Sequence, residues 1–184
     1  MSRRRDELLK IAAERFAERG FANVTVDEIG EAAGISGPAL YHHFAGKEAL
    51  LGEMLVGISQ FLLDGGREVV AESDEPLRDL IAFHAAFAVD DRSLITVHFR
   101  DLVHARPEDQ SKVRHLQARY VALWADALQA RSPHLERRQA QAAVHAALGL
   151  INSTPFSGRL PRSEMLSLLR AMATAALERV AAPG

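Results

Sequence analysis

Residues 24–51 read VTVDEIGEAAGISGPALYHHFAGKEALL, and this stretch decides the fold. Thr25 followed three residues later by Glu28 is a capping box, in which each side chain satisfies the other's backbone amide. Val24 and Ile29 stand where a hydrophobic staple forms. A short helix is therefore expected to run to about Ala33. Gly34 can adopt the positive φ that stops a helix, and Ile35 turns inward. Ser36 caps the next helix, and Pro38 falls in its first turn, where a missing N–H does no harm. This second helix, about Gly37 to Phe44, is too short to stand alone and must be held by packing. Leu40 and Phe44, four residues apart, supply the packed face. Ala39, His42 and His43 then face elsewhere, with Tyr41 toward one edge. Two short helices joined by a tight turn, the second presenting its N-terminal end, is the layout of a helix–turn–helix.

The pattern T-x-x-x-I-x-x-x-A-G-[IV]-S-x-x-x-[LI]-Y-x-[HY]-F-x-x-K-E-x-L-L resembles the DNA-binding domain of TetR-family transcriptional regulators. Thr25, Ile29, Ala33, Gly34, Ile35, Ser36, Leu40, Tyr41, His43, Phe44, Lys47, Glu48, Leu50 and Leu51 match it. The likeness covers roughly the first quarter of the chain. Beyond about Val56 it rests on architecture alone. It implies phosphate contacts from Thr25, Tyr41, His43 and Lys47, whose hydroxyl, imidazole and ammonium groups donate without reading sequence. It implies base readout from Ser36, Gly37, Pro38, Ala39 and His42. Small residues let the helix end enter the groove, Pro38 and Ala39 can touch a thymine methyl, and His42 can donate to guanine. The helix has no Arg, Asn or Gln, so specificity is expected to lean on DNA shape and on a basic arm at Arg3, Arg4 and Arg5. Asp27 departs from relatives that carry a basic or polar reader nearby; a carboxylate there accepts only from cytosine or faces away.

Composition sets the bounds. The chain has 184 residues, 48% of them hydrophobic, enough to bury a real core. It has no cysteine, hence no disulfide framework and no cysteine metal site. No apolar run reaches membrane-span length, and no apolar signal region follows the N-terminal arginines, so a cytoplasmic protein with no membrane partner is expected. A net charge of −2 argues against a non-specific basic DNA coat. Within residues 1–50, seven Lys/Arg face eight Asp/Glu. Tight binding then needs the bases on one face and two copies of the domain.

The rest reads as helix throughout, giving an all-α fold of about nine helices. A helix–turn–helix domain would occupy 1–46, and a helical ligand-binding and dimerisation domain 47–184. Leu8, Ala12 and Phe16 form one stripe of a first helix, about Arg3 to Arg19, closed by Gly20. The fourth helix opens at Gly46-Lys47-Glu48 and should run to about Val70; Gly65-Gly66 is where a kink or early end would come. Helices follow at about Leu77–Val89, Leu94–Ala105, Glu108–Ala130, Leu135–Asn152 and Arg162–Val180. The loop before the last carries Pro155, Gly158 and Pro161. Helices eight and nine carry broad stripes rich in small residues, which allow close approach. The resemblance implies that segments 135–152 and 162–180 pack on a twin to form a two-fold homodimer, fit for a pseudo-palindromic double-stranded DNA operator.

The fourth to seventh helices are expected to hold an effector pocket. Candidate lining residues are Phe61, Phe83, Phe87, Phe99, Leu102, Tyr120 and Trp124, with His84, His98, Arg100 and His104 as polar points. Acids there lie mostly at helix ends, apart from Asp101 and Asp126, which weighs against cationic ligands. An acyl compound, such as a CoA thioester, suits this lining; an efflux regulator sensing drug-like aromatics is the alternative. His84, His98 and His104 lack i,i+4 spacing, so no metal and no cofactor are expected. No nucleophile elbow, phosphate-binding glycine loop or zinc-protease motif supports an enzyme acting on a bound acyl compound. The expected function is a repressor released from DNA by a small apolar effector. An effector that prefers the DNA-incompetent state ~100-fold supplies ~2.7 kcal/mol of coupling, enough for induction.

Overall fold

The computed structural model describes residues 3–157 and 160–181, with side chains from Arg4 onward. Gly158 and the side chain of Arg3, both invoked above, lie outside the described residues. Nine α-helices run in order, with no strand among the described residues: α1 (Arg3–Arg19), α2 (Val26–Ala32), α3 (Gly37–Leu40), α4 (Lys47–Glu72), α5 (Pro76–Asp90), α6 (Arg92–Asp101), α7 (Pro107–Arg131), α8 (Arg137–Ile151) and α9 (Arg162–Ala181). Two 3-10 turns, Phe21–Asn23 and Leu102–His104, complete the regular structure. The all-α architecture is the one expected. The chain divides into two compact units, residues 1–59 with 93–114, and residues 60–92 with 115–184.

In the first unit the expected stripe of α1 is fully buried: Leu8, Ala12 and Phe16 lie with Ile29, Leu40, Phe44, Leu50 and Leu55 in one core. Gly20 ends α1 with φ 85°, and its amide donates to the Phe16 carbonyl at 2.8 Å. Arg100 of α6 then adds a second bond to the Phe16 carbonyl and reaches the Ala17 carbonyl while its guanidinium pairs with the buried Asp101 at 3.0 Å. A cation at a helix C-terminus is favourable, and here it also neutralises a buried acid. Arg100, expected at a pocket rim, is thus committed to holding α1. The sixth helix was expected to continue to Ala105. It stops at Asp101 and tightens into the 3-10 turn, after which Ala105 is extended. The tighter turn sets the His104 ring on Phe21, stacked with centroids 5.2 Å apart.

The second unit is built on α5, α8 and α9, which pack on one another. Ala140, Val144, Ala147 and Ile151 make the buried face of α8; Met165, Leu169, Ala173 and Leu177 make that of α9. Both sets follow i,i+3/i+4 spacing, the signature of a helix buried on one side. Arg162 clasps Asp90 with two bonds of 2.6 Å, fixing the start of α9 to the end of α5. The Thr154 hydroxyl donates to the Ala88 carbonyl at 2.7 Å, anchoring the turn after α8.

The helix containing Gly65 and Gly66 does not end there; α4 continues to Glu72. The glycines answer to packing instead. A Cβ on Gly65 would lie 2.5 Å from the Phe83 ring, and one on Gly66 would lie 2.7 Å from the Tyr120 ring. Two aromatic rings therefore rest directly on the α4 backbone.

Candidate DNA-binding interface and effector site

The helix–turn–helix is held by three local devices. The first is the capping box. The Thr25 hydroxyl accepts from the Glu28 amide at 3.2 Å, and the Glu28 carboxylate accepts from the Thr25 amide at 2.7 Å. The Thr25 amide, with help from Arg19, holds the Glu28 carboxyl down at a pKa of about 2. The second is the turn. Gly34 takes φ 67°, its amide donates to Glu31, and the Ile35 amide reaches back to Gly30 at 2.9 Å. Those two bonds make a Schellman motif. The third is Ser36, whose hydroxyl accepts from the Ala39 amide at 3.3 Å and caps α3.

The sequence pattern did not single out Gly30, although the turn depends on it. A Cβ there would stand 3.0–3.1 Å from backbone atoms of Ile35, Ser36 and Gly37. The available signal was a glycine inside a helix, which usually has a packing reason.

The recognition helix is shorter than expected. Only Gly37–Leu40 is α-helical. Beyond it the amides of Tyr41, His42 and His43 each bond three residues back, a tighter winding that carries the chain to Phe44. Phe44 and Leu40 are buried, as their spacing requires. Ser36, Pro38, Tyr41 and His42 are exposed, Tyr41 by 60%; Ala39 and His43 are half-buried. Gly37 is buried, and the Asp27 carboxylate fills the space its Cβ would occupy, 1.6 Å from that point. The exposed Asp27 thus lies beside the first turn of α3.

Three cationic side chains expected at DNA have partners within the unit. Arg4 donates to the Ala33 carbonyl at the end of α2 and to Glu7. Arg5 grips both carboxylate oxygens of Glu53, donates to the His43 carbonyl, and lies over the Phe44 ring at 4.4 Å. Both stand in the first turns of α1. Lys47 donates to the carbonyls of Phe21 and Val24, each at 2.8 Å, and sits 4.3 Å above the Phe21 ring. Arg5 thus ties α1 to α4 and to the end of the recognition segment, Arg4 ties α1 to the end of α2, and Lys47 ties α4 to the connection between α1 and α2.

In the second unit an aromatic cluster surrounds a polar relay. His84 is buried between Tyr120, whose hydroxyl lies 3.2 Å from Nδ1, and Asn152, whose Oδ1 lies 3.0 Å from Nε2. Burial pushes the His84 pKa down to about 4 and raises that of Tyr120 well above the usual tyrosine range. Trp124 packs edge-on to both rings, with centroids 6.0 Å away. Phe87 adjoins His84 at 5.8 Å, and Phe61 adjoins Phe83 at 5.8 Å. Six of the eleven residues expected at a pocket thus belong to one unit. His98, Phe99, Arg100, Leu102 and His104 belong to the other, with Phe99 exposed by 59%. Asn152, read from sequence only as a helix end, completes the relay. Among the described residues no group of three or more His, Asp or Glu side chains is placed to hold a metal ion.

Residues 8–54 match the family pattern of bacterial regulatory proteins of the tetR family, and residues 70–156 match the tetracyclin repressor-like C-terminal domain. The chain belongs to the TetR family. The first match begins inside α1 and ends within α4, so it encloses the whole helix–turn–helix. This TetR-family chain is 36% identical over 130 residues to the HTH-type transcriptional repressor KstR2 of Mycobacterium tuberculosis, a match covering 68% of the chain and 64% of KstR2. The match thus spans less than two thirds of that relative's length. The fold resembles the solved ketosteroid transcriptional regulator KstR2 of the same organism, with TM-score 0.81 and 23% identity over 100% of this chain and 97% of that one. It also resembles FadR of Bacillus subtilis, solved in complex with stearoyl-CoA, with TM-score 0.73 and 19% identity over 95% of this chain and 96% of that one. No helix among the described residues is long and apolar enough to cross a membrane.

Proposed function

We propose that this chain is a ligand-responsive transcriptional repressor, acting in the cytoplasm as a homodimer on a pseudo-palindromic operator. The observation that carries the reading is the exposed surface of α3 and its flanking residues: Ser36, Pro38, Tyr41 and His42 are exposed on a segment fixed by backbone contacts. Ser36, Gly37, Pro38, Ala39 and His42 are assigned to bases. Arg4, Arg5, Thr25, Tyr41, His43 and Lys47 are assigned to phosphates or to holding the recognition segment against them. Lys47 has one N–H beyond the two taken by carbonyls, enough for a single phosphate. DNA binding is assigned to 1–46, and effector binding and dimerisation to 47–184.

The dimer surface is assigned to α8 and α9. Beside its buried face α9 exposes Leu168 and Met172, with Val180 exposed near its C-terminal end, and a groove of about 320 Å³ lined by Leu150, Leu160, Met165 and Leu168 adjoins the first two. A second copy would cover this apolar stripe under two-fold symmetry. The effector is assigned to the cluster around His84, which is apolar with few polar groups. KstR2, named a ketosteroid regulator, and FadR, bound to stearoyl-CoA, are the similar proteins that suggest a steroid-like or acyl ligand.

The effector half is tested by mobility shift. A duplex selected by the protein from a random pool is incubated with it, and octanoyl-CoA, palmitoyl-CoA or androst-4-ene-3,17-dione is added. At least one class should weaken DNA binding tenfold or more at saturation. An unchanged shift with all three would contradict ligand-responsive repression while leaving DNA binding intact.

A further inference from the structure

One buried donor in the second unit is left without an acceptor. Trp124 is fully buried, and its Nε1–H is the single buried side-chain polar atom among the described residues with no hydrogen bond. Buried polar groups are satisfied in the great majority of cases, so an orphan calls for an explanation. The indole lies close enough to the Tyr120 hydroxyl to act on its ionisation, yet it does not meet that oxygen with bonding geometry.

The surrounding relay explains why Tyr120 does not simply turn to serve it. Asn152 Oδ1 accepts, so His84 Nε2 carries the proton and Nδ1 is bare. The Tyr120 hydroxyl must then donate to Nδ1, which fixes its rotation. His84, Tyr120 and Asn152 satisfy one another and leave the indole N–H over.

The cluster also has no net charge. Phe61, Phe83, Phe87, Tyr120 and Trp124 carry none, and His84 stays neutral because it is buried. A ligand carboxylate would lose its hydration there with no cation to replace it. A ligand ammonium would find no anion. A carbonyl oxygen needs only a donor. Phe61 is 54% exposed and touches Phe83 and Phe87, Phe87 adjoins His84, and His84 adjoins Trp124, so ring contacts run from the surface to the orphan donor's side chain.

We propose that this cluster binds the carbonyl of an uncharged, apolar ligand, a ketone or a thioester, with the Trp124 indole N–H donating to the carbonyl oxygen. The inference rests on the effector reading above and narrows it: the recognised group is the neutral carbonyl, not a free acid.

Trp124 is the only tryptophan in the chain, so its fluorescence reports this site directly. The ring probes are 2-decalone, decalin and decalin-2-carboxylate; the chain probes are S-ethyl octanethioate and octanoate. The two carbonyl compounds should quench Trp124 and bind at least tenfold more tightly than decalin, decalin-2-carboxylate or octanoate. Which of the two binds better separates a ring ketone from an acyl thioester. Replacing the single tryptophan with benzothienylalanine keeps the fused ring and removes the N–H. Calorimetry should then show about a tenfold loss for 2-decalone and none for decalin, with helical content unchanged. Equal affinities for 2-decalone and decalin, tighter binding of either acid, or no response from Trp124 would overturn the assignment. Release of DNA by an effector that leaves Trp124 undisturbed would sink this site and spare the effector reading. Carbonyl-selective binding at Trp124 with no effect on DNA would do the reverse.

Discussion

Gly30→Val should destroy duplex DNA binding while leaving most of the helices intact. The reason is the backbone of the turn. At Gly30 a single Cβ already meets three backbone atoms at 3.0–3.1 Å, and the two γ-methyls of valine would have to enter the same space. Backbone cannot step aside as a side-chain tip can, so the Ile35–Gly37 segment must move and take Ser36 and the start of α3 with it. Overpacking of this kind costs about 1–3 kcal/mol. It also breaks the Ile35 amide bond to the Gly30 carbonyl on which the turn closes. We expect a loss of about 3 kcal/mol in urea unfolding and more than a hundredfold loss of DNA affinity at temperatures where circular dichroism still reports helix. Gly30→Ala is the informative control. It adds the tight Cβ contact but gains about 1 kcal/mol of helix propensity, so its net effect on stability should be small and its effect on DNA intermediate. Wild-type DNA affinity in Gly30→Val would mean that the turn geometry does not position α3.

His84 should make the protein lose stability as pH falls from about 6.5 to about 4. An unfolded histidine takes up its proton near pH 6.5, whereas burial keeps the native His84 neutral down to about 4. Between those values the unfolded state binds the extra proton, so stability rises with pH and is fully present above pH 6.5. Across the window the effect amounts to about 3 kcal/mol, since each unit corresponds to ~1.4 kcal/mol. His84→Gln keeps a neutral polar side chain that cannot titrate. Urea midpoints measured at pH 7.5 and pH 4.5 should fall further in the wild type than in His84→Gln, by the equivalent of that difference. The comparison of slopes holds even if the variant starts out less stable. Parallel slopes would show that folded His84 takes up its proton over the same pH range as in the unfolded chain, which would contradict a neutral relay to Tyr120 and Asn152 protected by burial.

What could be read from the sequence was local. Thr25 and Glu28, Gly34 and Ile35, and Ser36 with Pro38 each act within four residues, and spacing alone exposes them. Leu8, Ala12 and Phe16 announced their burial by helical period. The misses were of two physical kinds. Some came from tertiary contact overriding propensity. Gly65 and Gly66 left a kink or early end open in a helix expected to reach about Val70, but rings from Phe83 and Tyr120 occupy the space their missing side chains leave, and α4 runs on to Glu72. The others came from partners distant in sequence. Arg100 meets the carbonyl of a residue 84 positions away, and Asn152 accepts from the ring of His84, 68 positions away. Nothing in the run of residues around Arg100 or Asn152 marks such a pairing. Arg4, Arg5 and Lys47 illustrate an intermediate case. The motif picked out Lys47 and the basic N-terminus suggested Arg4 and Arg5, but only the structure reveals that carbonyls and carboxylates already hold their charges.

That division bears on specificity. α3 brings only small residues, a tyrosine and histidines to its exposed side, and Asp27 adds a negative charge beside its first turn. Few bidentate readers are available, so discrimination should come from a small number of contacts repeated in two half-sites and from the groove shape that admits them.

Selection of bound duplexes from a random-sequence pool by the purified wild-type protein is the measurement that tests this most directly. The account predicts enrichment of an inverted repeat whose half-sites are related by a two-fold axis, bound by an even number of chains. Recovery of no enriched sequence, or of an asymmetric site bound by a single chain, would contradict it.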